Sequence, residues 1–127
     1  MTDVCYCDSG DAYVDCCEPY LLGMRSPDTA KQLMRSRYCA YVVSNEEYLI
    51  NTWHLSTRPS SKQLSEDKVK WHRLRVHELV AGGLEDERGE VFFEAIYKVN
   101  GKAFRHFECS LFERENGEWR YLEASEK

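Results

Sequence analysis

The sequence predicts an α+β fold, in which helices pack on a curved antiparallel sheet. Apolar residues recur at helical spacing across residues 30–41, which indicates an amphipathic helix. Residues 90–99 alternate between apolar and polar side chains, as a half-buried strand does. Two Asn-Gly pairs, at 100–101 and 116–117, are strong hairpin signals. Helices therefore come first along the chain, and an antiparallel meander follows.

The first long helix is predicted to begin at Ser26-Pro27-Asp28, and residues 18–20 and 23–27 are predicted to form an irregular connector. One charged residue, Arg37, lies on its apolar stripe. A charge in that place must be paired or must face a cavity. The candidate partners for a buried salt bridge are Glu94 and Glu108. The stripe itself consists of Ala30, Leu33, Met34, Tyr38 and Tyr41.

A second, shorter helix is predicted from a capping-box pattern, in which Ser44 is the cap and Glu47 follows three residues later. This helix should end before Arg58-Pro59, because the residue before a proline avoids the helical region. Residues 60–67 are polar and are predicted to form a loop.

Four strands are predicted, over residues 69–80, 90–99, 102–114 and 118–122. Long antiparallel strands usually bend, and a bent sheet closed by helices forms a cone with one open mouth. Trp53, Tyr97 and Phe107 are the expected lining of this cone.

His106 and Glu108 share one face of the third strand, because side chains repeat every two residues. They alternate with Phe107 and Cys109, which have the character of a buried face. The histidine and the glutamate are therefore expected to face water, and no catalytic residue is predicted.

Four of the six cysteines lie within thirteen residues, in the pattern Cys5-x-Cys7-x8-Cys16-Cys17. The N-terminus has no secretory signal pattern, so a reducing cytoplasm is expected, where clustered cysteines favour metal binding. Two close pairs around a short loop are typical of a structural zinc site. The alternatives are two disulfides or four buried thiols, although a bond between adjacent cysteines is strained.

Composition excludes two further classes of function. The net charge of −5 and the acidic pI of about 5.4 argue against a general nucleic-acid-binding protein, which would present a basic face. The longest apolar run, residues 38–43, is far shorter than the ~18 residues that a membrane-spanning helix requires.

Three stretches together resemble the YchJ family: CYC…CC at 5–17, LMRSRYCAYV at 33–42 and YLINTWHLSTRP at 48–59. The resemblance implies a SEC-C-like metal-binding segment over residues 1–25 and a nuclear-transport-factor-2-like α+β cone over residues 26–127. It also implies zinc on Cys5, Cys7, Cys16 and Cys17. Tyr6 and Asp8 stand where the family usually has proline and glycine, so the turn geometry differs while the four ligands remain.

The preferred function is a non-enzymatic interaction module, in which the zinc-stabilised segment binds a protein partner. The alternative is a small-molecule-binding or enzymatic pocket in the cone, with a small anionic ligand. Its candidate residues are Arg37, Tyr41, Trp53 and His54. A guanidinium group aimed into a pocket can hold a carboxylate or a phosphate. The remaining cysteines, Cys39 and Cys109, are expected to behave as small buried apolar side chains.

Overall fold

A computed structural model of the chain describes residues 4–7, 9–58 and 69–125. The helical half contains a short 3-10 turn (Tyr13–Asp15) followed by α1 (Glu18–Leu21), α2 (Ala30–Val42) and α3 (Glu46–Asn51). The strands are β1 (Val69–Ala81), β2 (Arg88–Val99), β3 (Lys102–Glu115) and β4 (Glu118–Ser125). The predicted loop over residues 60–67 lies outside the described residues.

The four strands form one antiparallel sheet in the order β1-β2-β3-β4. Its pairing register shifts twice in β1, between Trp71 and Arg73 and between Val76 and Glu78, and once between Leu111 and Phe112 in β3. Such irregularities bend a strand and increase its twist, which curves the sheet. The prediction of an α+β fold with a curved antiparallel sheet is therefore confirmed.

Helix α2 packs against β1, β2 and β4. It begins at Thr29, whose side chain accepts a hydrogen bond from the Gln32 backbone N–H at 3.2 Å. Leu33 on this helix is fully buried, as is Trp119 on β4. The Trp119 indole N–H donates to the Asp28 carbonyl at 3.0 Å, just before the helix. The start of α2 is thus fixed to the last strand of the sheet.

Two local predictions were wrong. Residues Glu18–Leu21 form helix α1 instead of an irregular connector, because Pro19 lies in the first turn, where its missing N–H costs nothing. The cap of α3 is Asn45, whose side chain accepts from the Tyr48 N–H at 3.0 Å. Ser44 cannot take that place, since its φ of 59° is left-handed.

The end of the β1–β2 hairpin approaches the start of α2 very closely. The Gly82 carbonyl accepts from the Ala30 N–H at 3.0 Å, and the Gly82 N–H donates to the Arg88 carbonyl at 3.0 Å. A methyl group added at Gly89 would overlap the Cα of Gly82 and lie 2.8 Å from its nitrogen. Backbone atoms on both sides leave no room for a side chain here.

We expect Gly89→Ala to lower the free energy of unfolding by about 1–3 kcal/mol, because the clash involves backbone rather than a flexible side chain. Urea unfolding measures the change. Gly83→Ala is the matched control, since its new methyl would meet only the Asp86 side chain, at an ordinary 3.4 Å. Equal effects from the two substitutions would contradict this account of the contact.

Candidate functional site

Four cysteine sulfurs, those of Cys5, Cys7, Cys16 and Cys17, all lie within 4.8 Å of one another. Cys16 lies 3.6 Å from Cys7 and 3.9 Å from Cys17, measured between sulfurs. A tetrahedron with metal–sulfur bonds of ~2.3 Å has sulfurs about 3.8 Å apart, so these distances suit a four-coordinate ion. Three of the cysteines are buried and Cys16 is half-buried. The cluster could therefore hold a metal ion with little exposure to water.

A small hairpin and a turn bring the two cysteine pairs together. Val4 and Ala12 form an antiparallel bridge, and the Cys5 N–H donates to the Asp11 carbonyl at 2.7 Å. The chain reverses direction at Gly10, whose φ of 90° is a left-handed conformation that glycine adopts readily. The 3-10 turn that follows delivers the second pair, because the Cys16 N–H donates to the Tyr13 carbonyl at 3.1 Å. Asp8, which was predicted to belong to the turn, lies outside the described residues.

The thiols of the cluster share protons, which favours thiolates at the first pair. Hydrogen bonds, above all with Cys17, lower the pKa of Cys5 from 9.0 to about 6 and lower the pKa of Cys7 as well. Burial raises the pKa of Cys16 to about 11. Thiolates are the form that binds metals, so an ion would find two ligands ready and displace protons from the others.

A fifth sulfur, that of Cys39, lies 3.5 Å from the Cys5 sulfur. Cys39 is on α2 and is fully buried. Cys39 was predicted to be an isolated buried cysteine, because 34 residues separate it from Cys5 and no ligand spacing connects the two. The contact arises only from tertiary packing of the N-terminal segment on the helix.

A second feature is a cavity of about 340 Å³ between α2 and the sheet. Its polar lining groups are Arg37, His106, Glu108 and Ser110. Most of its wall is aromatic, from Tyr38, Tyr41, Trp53, Trp71, Phe93 and Tyr121. The cone is therefore not filled by its own side chains. An apolar cavity with a few converging polar groups is the usual form of a small-molecule site.

Arg37 is only 4% exposed, yet it has no carboxylate within 4 Å among the described residues. Its Nη1 donates to the Leu49 carbonyl and to the Thr52 hydroxyl, both at 2.8 Å. The guanidinium carbon lies 5.3 Å from the centre of the Trp53 ring and 4.6 Å from that of Tyr121. In the described part of the chain, Nη2 and Nε donate to nothing. Burial lowers the pKa of Arg37, because the charged guanidinium loses its hydration.

The salt bridge considered for Arg37 is absent among the described residues. Glu94 lies on the other face of the sheet, where its carboxylate meets His77 at 3.1 Å and Arg105 at 3.4 Å. Glu108 lines the same cavity as Arg37, but other groups occupy both of its oxygens. The His106 Nε2 lies 3.0 Å from Oε1, and the Ser110 hydroxyl donates to Oε2 at 2.6 Å.

The expected orientation of β3 was partly wrong. His106 and Glu108 line the cavity, although the His106 side chain is still 52% exposed, and Phe107 is 53% exposed on the opposite face, where it stacks on His77 and Phe92. Cys109 is buried, as expected. Tyr97 contacts Trp71, with ring centres 5.5 Å apart, but does not line the cavity.

The two-residue turn could have revealed the true orientation. It pairs Val99 with Lys102, and counting back from that pair places Ala95 opposite His106 and Phe93 opposite Glu108. Residues that are paired across a sheet share a face.

Of the four predicted pocket residues, Arg37, Tyr41 and Trp53 line the cavity, and His54 does not. The His54 N–H donates to the Tyr121 carbonyl at 2.7 Å. Its ring Nδ1 lies 2.8 Å from the Ser56 hydroxyl and 3.7 Å from the Glu115 carboxylate. His54 therefore helps to fix the segment after α3 to the sheet. Whether the other three bind a ligand stays a prediction.

A family model described as the middle nuclear-transport-factor-2-like domain of YchJ matches residues 29–124. The chain belongs to the YchJ family. A relative from Chromobacterium violaceum, called a UPF0225 protein, is 48% identical over 93% of this chain and 89% of its own length. A second UPF0225 protein, from Xanthomonas campestris, is 43% identical over 97% of this chain and 95% of its own.

Two solved structures resemble this chain over its whole length. The solution structure of a SEC-C motif containing protein from Rhodopseudomonas palustris matches with a TM-score of 0.85 and 32% identity, over 100% of this chain and 99% of that one. The crystal structure of a SEC-C motif containing protein from Psychrobacter arcticus matches with a TM-score of 0.77 and 25% identity, over 100% and 84%. None of the described helices is long and apolar enough to cross a membrane.

We expect Arg37→Met to lower the free energy of unfolding by less than about 2 kcal/mol, because two lost hydrogen bonds are offset by removal of an uncompensated buried charge. Urea unfolding tests this, with Lys31→Met as a control that removes one cation from the same helix outside the cavity. A loss of ~3–5 kcal/mol would instead indicate a buried ion pair.

Proposed function

We propose that this protein binds a small anionic molecule in the cavity of its cone domain, and that a structural zinc ion holds the N-terminal segment in place. The observation that carries the proposal is the buried guanidinium of Arg37 in an aromatic cavity, which has no ion pair among residues 4–7, 9–58 and 69–125. The sequence favours an interaction module over a pocket, and a filled cone would have supported that preference. The open cavity reverses the ranking.

The lining indicates the class of ligand. A buried guanidinium favours a carboxylate or a phosphate, and its Nε and Nη2, which donate to no described group, suit bidentate binding. The rings of Trp53 and Tyr121 flank the guanidinium, and further aromatic rings form the rest of the wall, so a flat apolar body fits beside the anionic group. At the polar side, the Glu108 carboxylate would accept from a hydroxyl or amine on the ligand. We infer binding rather than catalysis and assign no catalytic residue.

The proposed zinc site is structural. Four thiolates fill the tetrahedral shell of zinc and leave no position for water or substrate. Such a site fits a reducing compartment, and we therefore place the protein in the cytoplasm. The two solved structures reported above are of SEC-C motif containing proteins, which adds support for a metal at the cysteines.

One observation keeps the interaction module as a second candidate. Large apolar side chains are exposed on the N-terminal segment, at Val4, Tyr6, Val14, Leu22 and Met24. A protein partner with an apolar surface would cover them. In that case the zinc would order the binding surface, and the cavity would have no ligand.

Elemental analysis of protein purified without chelator should find about one zinc per chain, because the four sulfurs supply one tetrahedral site. Removal of the metal should then abolish amide protection in residues 4–22 and leave the sheet protected, since metal binding to such sites is itself folding free energy. Hydrogen exchange before and after chelation measures this. The metal site would be refuted if no zinc were found and mass spectrometry showed two disulfides. If metal removal also abolished protection across β1 to β4, the prediction that the sheet is stable without the metal would be wrong.

Benzoate, 4-hydroxybenzoate and inorganic phosphate are suitable probes of the cavity. We expect both benzoates to raise the melting temperature of the wild type, and 4-hydroxybenzoate to act at lower concentration because its phenol can donate to Glu108. A ligand at a hundredfold its Kd stabilises by about 2.7 kcal/mol. Differential scanning fluorimetry measures the shift.

Arg37→Met should lose this stabilisation, and Lys31→Met should retain it. If only phosphate stabilises the wild type, the ligand is a small anion without an apolar body. If no probe stabilises the wild type, or if Arg37→Met responds like the wild type, the ligand function fails and the interaction module takes its place.

A further inference from the structure

The sulfur of Cys39 is the one cysteine contact that joins the N-terminal segment to α2 in the described part of the chain. It lies 3.5 Å from the sulfur of Cys5, and the two residues are 0% and 4% exposed. Zinc takes four ligands, and the cluster already supplies them without Cys39. The fifth thiol is therefore left over beside a metal-bound sulfur, at a distance from which a disulfide can close to ~2.05 Å.

We propose that Cys5 and Cys39 are a redox-modification site, which a hydroperoxide such as H2O2 oxidises to a disulfide with release of the zinc. The Cys5 thiolate attacks one peroxide oxygen, the O–O bond breaks, and hydroxide leaves, so that Cys5 becomes a sulfenic acid. The Cys39 sulfur then displaces the sulfenic oxygen, which leaves with the Cys39 proton as water. The two sulfurs lose two electrons and the peroxide gains two. Zinc loses one ligand in four.

Cys39 also interacts with Cys17 and Cys7, but its sulfur lies 3.5 Å from that of Cys5, closer than the sulfurs of the Cys7–Cys16 and Cys16–Cys17 pairs. Cys7 and Cys16 lie 3.6 Å apart, but both are zinc ligands in the proposed site, so a bond between them removes two ligands at once. Cys16 and Cys17 are adjacent, and a disulfide between neighbours in sequence is strained. Cys39 alone among the cysteines near the cluster carries a thiol that the metal does not hold. It can therefore trap a sulfenic acid at Cys5 before further oxidation occurs.

The experiment treats wild type, Cys39→Ala and Cys39→Ser with H2O2 and follows zinc release with a chromogenic chelator. Mass spectrometry then maps the products, and cleavage after Tyr6 separates Cys5 from the other three cysteines of the cluster. Dithiothreitol and zinc are finally added, and the recovered zinc is measured. Cys109→Ala is the matched control, because it removes a buried cysteine that lies on β3 and contacts Glu90.

The wild type should yield a Cys5–Cys39 disulfide and recover nearly all of its zinc after reduction. The Cys39 variants should bind zinc normally before oxidation and recover at least about twofold less, because an untrapped sulfenic acid proceeds to an irreversible sulfinic acid. Cys109→Ala should match the wild type. The serine variant supplies a polar replacement of similar size if the alanine variant folds poorly.

Three outcomes would overturn the inference: a first disulfide that joins other cysteines, full zinc recovery in both Cys39 variants, or loss of zinc from them before oxidation. The last would make Cys39 a ligand itself. The zinc readouts rest on the proposed metal site, but the disulfide map does not. If the purified protein contains no zinc but still forms the Cys5–Cys39 disulfide, the proposed zinc site is wrong and the redox pair stands.

Discussion

The burial of α2 against the concave face of the sheet is the constraint on which both candidate sites depend. One turn of this helix carries Arg37 and Tyr38 into the cavity and Cys39 to the cysteine cluster. The close approach of the Gly82 and Gly89 backbones to Ala30 fixes the level at which the helix begins. A shift of α2 along its axis would move the guanidinium and the thiol together. The two sites are therefore positioned by the same packing.

Local sequence patterns predicted the elements well because the chain uses unambiguous signals. At Asn100 and Gly101 both φ angles are positive, at 52° and 79°, as a tight two-residue hairpin requires. The buried side of β2 followed from alternation, and Val91, Phe93 and Ala95 are indeed buried. The cap of α3 was missed because Ser44 and Asn45 are both good caps, and only the backbone conformation decides between them.

The candidate sites were less predictable, since they depend on distant contacts. The four cysteines of the cluster are close in sequence, so their spacing alone brought them together in the prediction. Cys39 shows no such pattern, and its contact with Cys5 needs the tertiary structure. The face of β3 was assigned from hydrophobicity, which favoured Phe107 as the buried residue. Pairing with β2 determines the orientation instead, and it places the polar His106 and Glu108 on the face that borders the cavity.

The distribution of tryptophan has a practical consequence. Of the three indoles in the chain, those of Trp53 and Trp71 line the cavity, and that of Trp119 is fully buried in the core. A molecule that enters the cone changes the polarity around the first two and leaves the surroundings of the third unchanged. Intrinsic fluorescence thus contains both an occupancy signal and an internal reference. The protein carries its own optical reporter, without any added label.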